Sequence, residues 1–74
     1  MKKDEYREFM INKVYSYCVD YHLRHGYMPS VREICTGLDI KSTGTVCKYM
    51  QKLFARKVFV TENPGNARAF RIVK

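Results

Sequence analysis

A mainly α domain closed by a small β-hairpin is the fold class this chain predicts, and three observations carry the prediction. Apolar residues recur at helical spacing in three separate stretches up to Arg56. The second and third stretches are joined by only three residues, Asp39-Ile40-Lys41. After Arg56 the helical period gives way to alternation, interrupted once by the turn-forming run Glu62-Asn63-Pro64-Gly65-Asn66.

The first helix is predicted over residues 4–25. Asp4 can cap it, and Asp4, Glu5 and Glu8 place negative charge in or beside its first turn, where the helix dipole favours it. Met10, Val14, Tyr17 and Tyr21 form its apolar stripe, widened by Ile11 and Cys18. His22, Arg24 and His25 supply cations to the last turn, and Gly26 suits the left-handed residue that follows a helix. Tyr6 and Phe9 fall at the edge of the stripe, where they either cover the core or form an interface. Gly26-Tyr27-Met28-Pro29 is a loop, with Met28 placed to pack on the next helix as a hydrophobic staple.

The second helix is predicted over residues 31–38. Ser30 is followed three residues later by Glu33, the spacing of a capping box, and Ile34 and Leu38 share one face. Arg32 is free to pair with Glu33 or Asp39, a surface contact of little energetic weight. Ser42 then caps a third helix running to Arg56. Val46, Met50, Leu53 and Phe54 follow the i, i+4, i+7, i+8 rhythm of a buried stripe. At ~100° per residue, Gly44, Lys48, Gln51 and Ala55 lie opposite, with Thr45 and Lys52 beside them. That outer face carries no acid. Val58 to Thr61 and Ala67 to Val73 are the two strands, with Phe70 and Ile72 on one side and Arg71 and Val73 on the other. Such a short hairpin is marginal alone and must pack on the helices. Three helices followed by a two-stranded wing, its tip at Asn63 to Arg68, make a winged helix-turn-helix over residues 1–74.

The chain has 74 residues, enough for one domain with a thin stability margin and little room for a deep catalytic cleft. Fourteen Lys and Arg against seven Asp and Glu give a formal charge of +7, which favours an anionic partner, nucleic acid first and an acidic membrane surface second. No apolar run approaches the ~18 to 20 residues that cross a bilayer, and the N-terminus lacks the apolar core of a signal peptide. Three cysteines, odd in number and unpatterned, point to a reducing compartment, hence a cytoplasmic, nucleoid-associated location, with the thiols buried and inert. Cys18 and His22 stand four apart, but no Cys-x₂-Cys pair accompanies them, and neither a metal site nor a Cys–His nucleophile has a local signature. Paired carboxylates and a phosphate-binding loop of the P-loop type are also missing. The expectation is a protein that is not an enzyme and takes no cofactor.

The contact chemistry concentrates on the third helix. Ser42, Thr43 and Thr45 stand at its N-terminus, where hydroxyls and unpaired N–H groups suit phosphate. Thr45 can also touch a thymine methyl, and Lys48 can reach guanine O6 and N7. Gly44 either lets the backbone approach DNA closely or is simply tolerated near a helix end. Ser30, at the start of the second helix, is counted with them. Lys41, Lys52, Arg68 and Arg71 are candidate backbone clamps, joined by Asn66 at the wing tip, each weighed against an ordinary solvated surface.

The run Gly26-Tyr27-Met28-Pro29-Ser30-Val31-Arg32-Glu33-Ile34-Cys35, then Leu38, Ile40 and Ser42, then Val46, Met50 and Leu53, then Gly65 to Ile72, resembles the DNA-binding domain of LexA repressors. The likeness runs from about Tyr6 onward and is specific in combination rather than piece by piece. It implies a winged helix-turn-helix transcriptional repressor that reads a palindromic operator in double-stranded DNA through the helix beginning at Ser42; a homodimer on DNA, two copies on adjacent half-sites, is expected separately because a lone winged helix binds weakly. In that family a self-cleaving serine peptidase domain follows and also dimerises the protein. These 74 residues hold no counterpart of it, so neither self-cleavage nor that dimerisation is carried over. Lys57 stands where the family usually has glycine, which costs ~1 kcal/mol if the backbone there is left-handed. Thr43, Gly44, Thr45 and Lys48 are not the familiar reading set, which leaves the operator open. The rival reading is a protein-interaction module that engages a regulator or polymerase through the aromatic residues of the first helix.

Overall fold

The computed structural model describes residues 2–61 and 70–73. Three helices, α1 (Lys3–His25), α2 (Val31–Leu38) and α3 (Thr43–Ala55), are followed by strands β1 (Phe59–Thr61) and β2 (Phe70–Ile72). The strands pair antiparallel with Phe59 opposite Ile72, Val60 opposite Arg71 and Thr61 opposite Phe70. A further bond from the Val73 N–H to the Val58 carbonyl, 2.8 Å, extends the ladder by one pair. This is the winged helix-turn-helix expected. The turn 62–66, the wing tip and the first residues of the second predicted strand lie outside the described residues.

The core gathers one face from every element. Ile11, Val14 and Cys18 of α1, Ile34 and Cys35 of α2, Val46, Met50 and Leu53 of α3, and Phe59 and Phe70 of the hairpin form one buried cluster, with Met28 of the loop. α1 packs on both α2 and α3, and α3 on β1. Phe59 and Phe70 meet at 5.0 Å between ring centroids, and Phe54 and Tyr15 pack on Phe59 at 6.0 Å each. These aromatic contacts hold a hairpin too short to stand alone.

Two details of α1 differ from expectation. The helix begins at Lys3 with Lys2 as its N-cap and no side-chain cap bond, so Asp4 does not cap it. Asp4 acts instead inside the first turn, where its charge meets the N-terminal dipole. The stripe is also rotated. Ile11, Val14 and Cys18 are its fully buried centre, whereas Met10, Tyr17 and Tyr21 are only half-buried. The tyrosines stay at the margin because their hydroxyls need partners. Tyr17 donates to the Glu33 backbone carbonyl, 3.1 Å, and Tyr21 to the Glu33 carboxylate.

The capping box of α2 forms as the spacing implied. The Glu33 N–H donates to Ser30 Oγ at 3.3 Å, and the Ser30 N–H donates to Glu33 Oε1 at 2.9 Å. Glu33 is thereby committed to Ser30 and Tyr21. Arg32 makes no ion pair among the described residues, so its expected pairing with Glu33 or Asp39 does not form. The ends of α2 and α3 share one solution. After α2, Asp39 takes φ 55° and the Ile40 N–H bonds the Cys35 carbonyl, 2.9 Å. After α3, Lys57 takes φ 60°, its N–H bonds the Phe54 carbonyl at 3.0 Å, and the Val58 N–H bonds the Leu53 carbonyl at 3.0 Å. Each is a left-handed exit that satisfies two of the last carbonyls and turns the chain sharply. The first such turn sets α2 and α3 as the two arms of the helix-turn-helix.

Candidate nucleic-acid interface

The site is the outer surface of α3. Ser42 accepts a bond from the Thr45 N–H, 3.4 Å, which satisfies one of the first N–H groups of the helix and leaves those of Thr43 and Gly44 pointing along its axis. Burial of Val46, Met50 and Leu53 turns the opposite face outward. Lys48, Gln51, Lys52 and Ala55 are exposed there, and Thr45 is half-buried at the flank. A Cβ added at Gly44 would find only Ser42 Oγ, at 3.6 Å, so the surface at the helix start is open. Lys48 and Lys52 form no ion pair among the described residues.

The predicted contact residues fall into three places. Lys41, Ser42, Thr43, Gly44, Thr45, Lys48 and Lys52 are brought together on the turn before α3 and on its outer face. Ser30 lies at the start of α2, half-buried, with its hydroxyl used in the capping box. Arg71 is exposed on β2 and borders a different hollow, shared with Val19, His22 and Leu23 of α1 and with no residue of α3. Asn66 and Arg68 lie outside the described residues.

Several features at or behind the site escaped the sequence reading. An open groove runs between α1 and the Thr45 flank of α3, lined by Arg7, Thr45, Lys48, Tyr49, Gln51, Lys52 and Ala55. Next to it Arg56, just past α3, donates two hydrogen bonds to the Glu8 carboxylate of α1, one of 2.9 Å from Nη1. Those bonds hold the Glu8 carboxyl below its ordinary value and raise the Arg56 guanidinium above its own. The partners stand 48 residues apart, and no local pattern could have linked them. Behind α3, Gly37 of α2 sits against the Tyr17 ring, and a Cβ there would come within 2.2 Å of it. An isolated glycine in a helical pattern was the available signal for that close approach.

The cysteines divide. Cys18 and Cys35 are buried, as expected, and burial pushes the Cys18 thiol up to about 12. Cys47 is exposed, contrary to expectation. It lies ~100° round α3 from Val46 and therefore off the buried stripe. Cys18 is sealed in the core while His22 is exposed, so the two do not form a nucleophile pair. Among the described residues, no three His, Cys, Asp or Glu side chains cluster as a metal site requires. No described helix is long and apolar enough to cross a membrane.

Comparison with known proteins places the chain in a family. A family model described as the LexA DNA binding domain matches residues 12–69. The LexA repressor of Clostridium kluyveri is 35% identical over 63 residues, which cover 85% of this chain and 31% of that protein. The LexA repressor of Clostridium perfringens is 36% identical over 62 residues, 84% of this chain and 30% of that protein. The LexA repressor of Ruminiclostridium cellulolyticum is 47% identical over 49 residues, 66% of this chain and 22% of that protein. The chain thus spans under a third of the length of these curated relatives.

Proposed function

The chain belongs to the LexA DNA-binding domain family, and from that premise we propose that it is a sequence-specific, double-stranded DNA-binding transcriptional regulator, a LexA-like repressor without catalytic activity of its own. It reads the major groove with the Ser42-capped helix and holds the flanking backbone with the wing. The observation that carries this reading is the outer face of α3, exposed, free of acids and furnished with Lys48, Lys52 and Gln51. The free N–H groups of Thr43 and Gly44 suit a phosphate at the helix start. Thr45 meets a thymine methyl, and Lys48 reaches guanine O6 and N7. Lys41, Ser42 and Ser30 contact the strand that passes the turn, and Asn66, Arg68 and Arg71 belong to the wing contact. Repression follows from occupying a promoter and excluding polymerase.

A lone module of this size binds weakly, so two copies on adjacent half-sites of a palindromic operator are expected. The setting is cytoplasmic and nucleoid-associated. Selection of binding sites from a random duplex pool tests the reading, with an enriched palindrome as the expected result. In a gel-shift titration, Lys48→Ala lowers discrimination between the enriched and a scrambled duplex by roughly 1–3 kcal/mol. Unchanged discrimination would remove Lys48 from the reading set, and no enrichment at all would sink the proposal.

The second reading, an interaction module for a regulator or polymerase, draws on Tyr6 and Phe9, which are 52% and 45% exposed on α1. Under it, Tyr6→Ser and Phe9→Ser abolish partner capture, and wild-type duplex binding is shallow and insensitive to sequence.

A further inference from the structure

We propose that Arg7 of α1 is a DNA-backbone contact, so that the first turns of α1 form a side wall gripping the sugar-phosphate strand along the Thr45–Lys52 flank of α3. The inference rests on the reading of α3 as the major-groove helix and adds a residue from outside the helix-turn-helix to the interface. An α-helix with its side chains is ~10–12 Å across, and the major groove is ~12 Å wide. A helix lying in that groove therefore presents both its flanks to phosphates. One flank of α3, carrying Thr45 and Lys52, does not face open solvent alone. It faces the groove whose other wall includes Arg7.

The charges on this groove are arranged for an anion. Its lining includes Arg7, Lys48 and Lys52 and no acid. Arg7 is exposed and joins no ion pair among the described residues. The nearby acid is Glu8, which feels Arg7, Lys52 and Arg56 together, and both of its oxygens are already taken by Arg56. Glu8 therefore pins α1 to the end of α3 without closing the groove, and the Arg7 fork remains available for a phosphate diester. The same pair joins the N-terminal part of α1 to the end of the reading helix.

The test compares wild type, Arg7→Gln and Arg7→Lys on the duplex enriched from a random pool and on its scrambled counterpart, across a salt series. Arg7→Gln is expected to weaken both duplexes by the same factor and to make the log–log salt slope shallower by about 0.9, the loss of one phosphate. Arg7→Lys keeps most of the slope. An unchanged slope in Arg7→Gln overturns the assignment, as does a loss confined to the enriched duplex, which would make Arg7 a base reader. Wild-type binding to polyglutamate as tight and as salt-dependent as to duplex also overturns it, because the groove would then be a general anion surface. Failure of the wild type to bind either duplex removes the underlying reading of α3. That result is distinct from a wild type that binds and a variant that matches it. Thermal unfolding of each variant confirms that the exposed substitution leaves the fold intact.

Discussion

Lys57 is a residue held where its side chain is unfavourable. Its left-handed backbone is required by the exit from α3, where two bonds close onto the Phe54 and Leu53 carbonyls before Val58 enters the hairpin. A lysine there costs ~1 kcal/mol that a glycine does not. Lys57→Gly is therefore expected to raise the melting temperature by about 4–8 °C per kcal/mol recovered, read by circular dichroism or calorimetry. A lower melting temperature would show that the lysine stem stabilises the exit in some other way. The sequence exposed this position through its departure from a family glycine, and the backbone angle agrees. The exposure of Cys47 is equally legible from helical geometry, which places it off the buried stripe against cysteine's usual preference for the interior.

At the scale of the element, helices read well where local chemistry decides them. Ser30 with Glu33, and Ser42 ahead of its stripe, mark helix starts because a hydroxyl and a carboxylate three residues on satisfy N–H groups close in sequence. The rotation of the α1 stripe was less legible. Which of its apolar residues face inward depends on where α2 and α3 lie, and tyrosine hydroxyls are drawn to whatever acceptor the neighbouring helix offers. The Glu8–Arg56 strap, joining α1 to the end of α3, had no local trace at all. Its pH dependence has a definite sign. The folded-state Glu8 carboxyl titrates below its ordinary value of about 4.5, so the strap stabilises the fold at neutral pH and is lost as pH falls through that lowered value. Both partners are solvent-exposed and screened, so the effect is small. Melting curves of wild type and Glu8→Gln are expected to differ at pH 7 and to converge in acid. A gap that persists at a pH well below that lowered value would contradict the assignment.

For the whole molecule, size and charge act together. A chain of 74 residues buries little apolar surface, and a net charge of +7 repels itself. A polyanion that binds only the folded state relieves both. Excess duplex at ~100 times its dissociation constant adds about 2.7 kcal/mol, which at this size is roughly 10–20 °C in melting temperature. The enriched duplex is expected to give the full shift and the scrambled one much less at equal concentration. Equal shifts would mean that charge alone is being read. The overall charge and the direction in which α3 presents itself were both available from the sequence, because one is a sum and the other a periodicity. The groove beside α3 was not, since it exists only where residue 7 comes to stand beside residues 45–55.

The contact between Gly37 and the ring of Tyr17 leaves α1 and α2 no nearer approach. Any side chain at position 37 can be housed only by rotating the ring, which forfeits its bond to the Glu33 carbonyl, or by moving the whole of α2 outward. α3 follows α2 by a tight turn and packs on α1 as well, so a group added at position 37 would disturb the seat of α2 while leaving the outer face of α3 chemically unchanged. Position 37 is thus a place where the fold can be weakened at a distance from the exposed helix: Gly37→Ala is expected to lower the melting temperature while leaving every exposed side chain of α3 as it is.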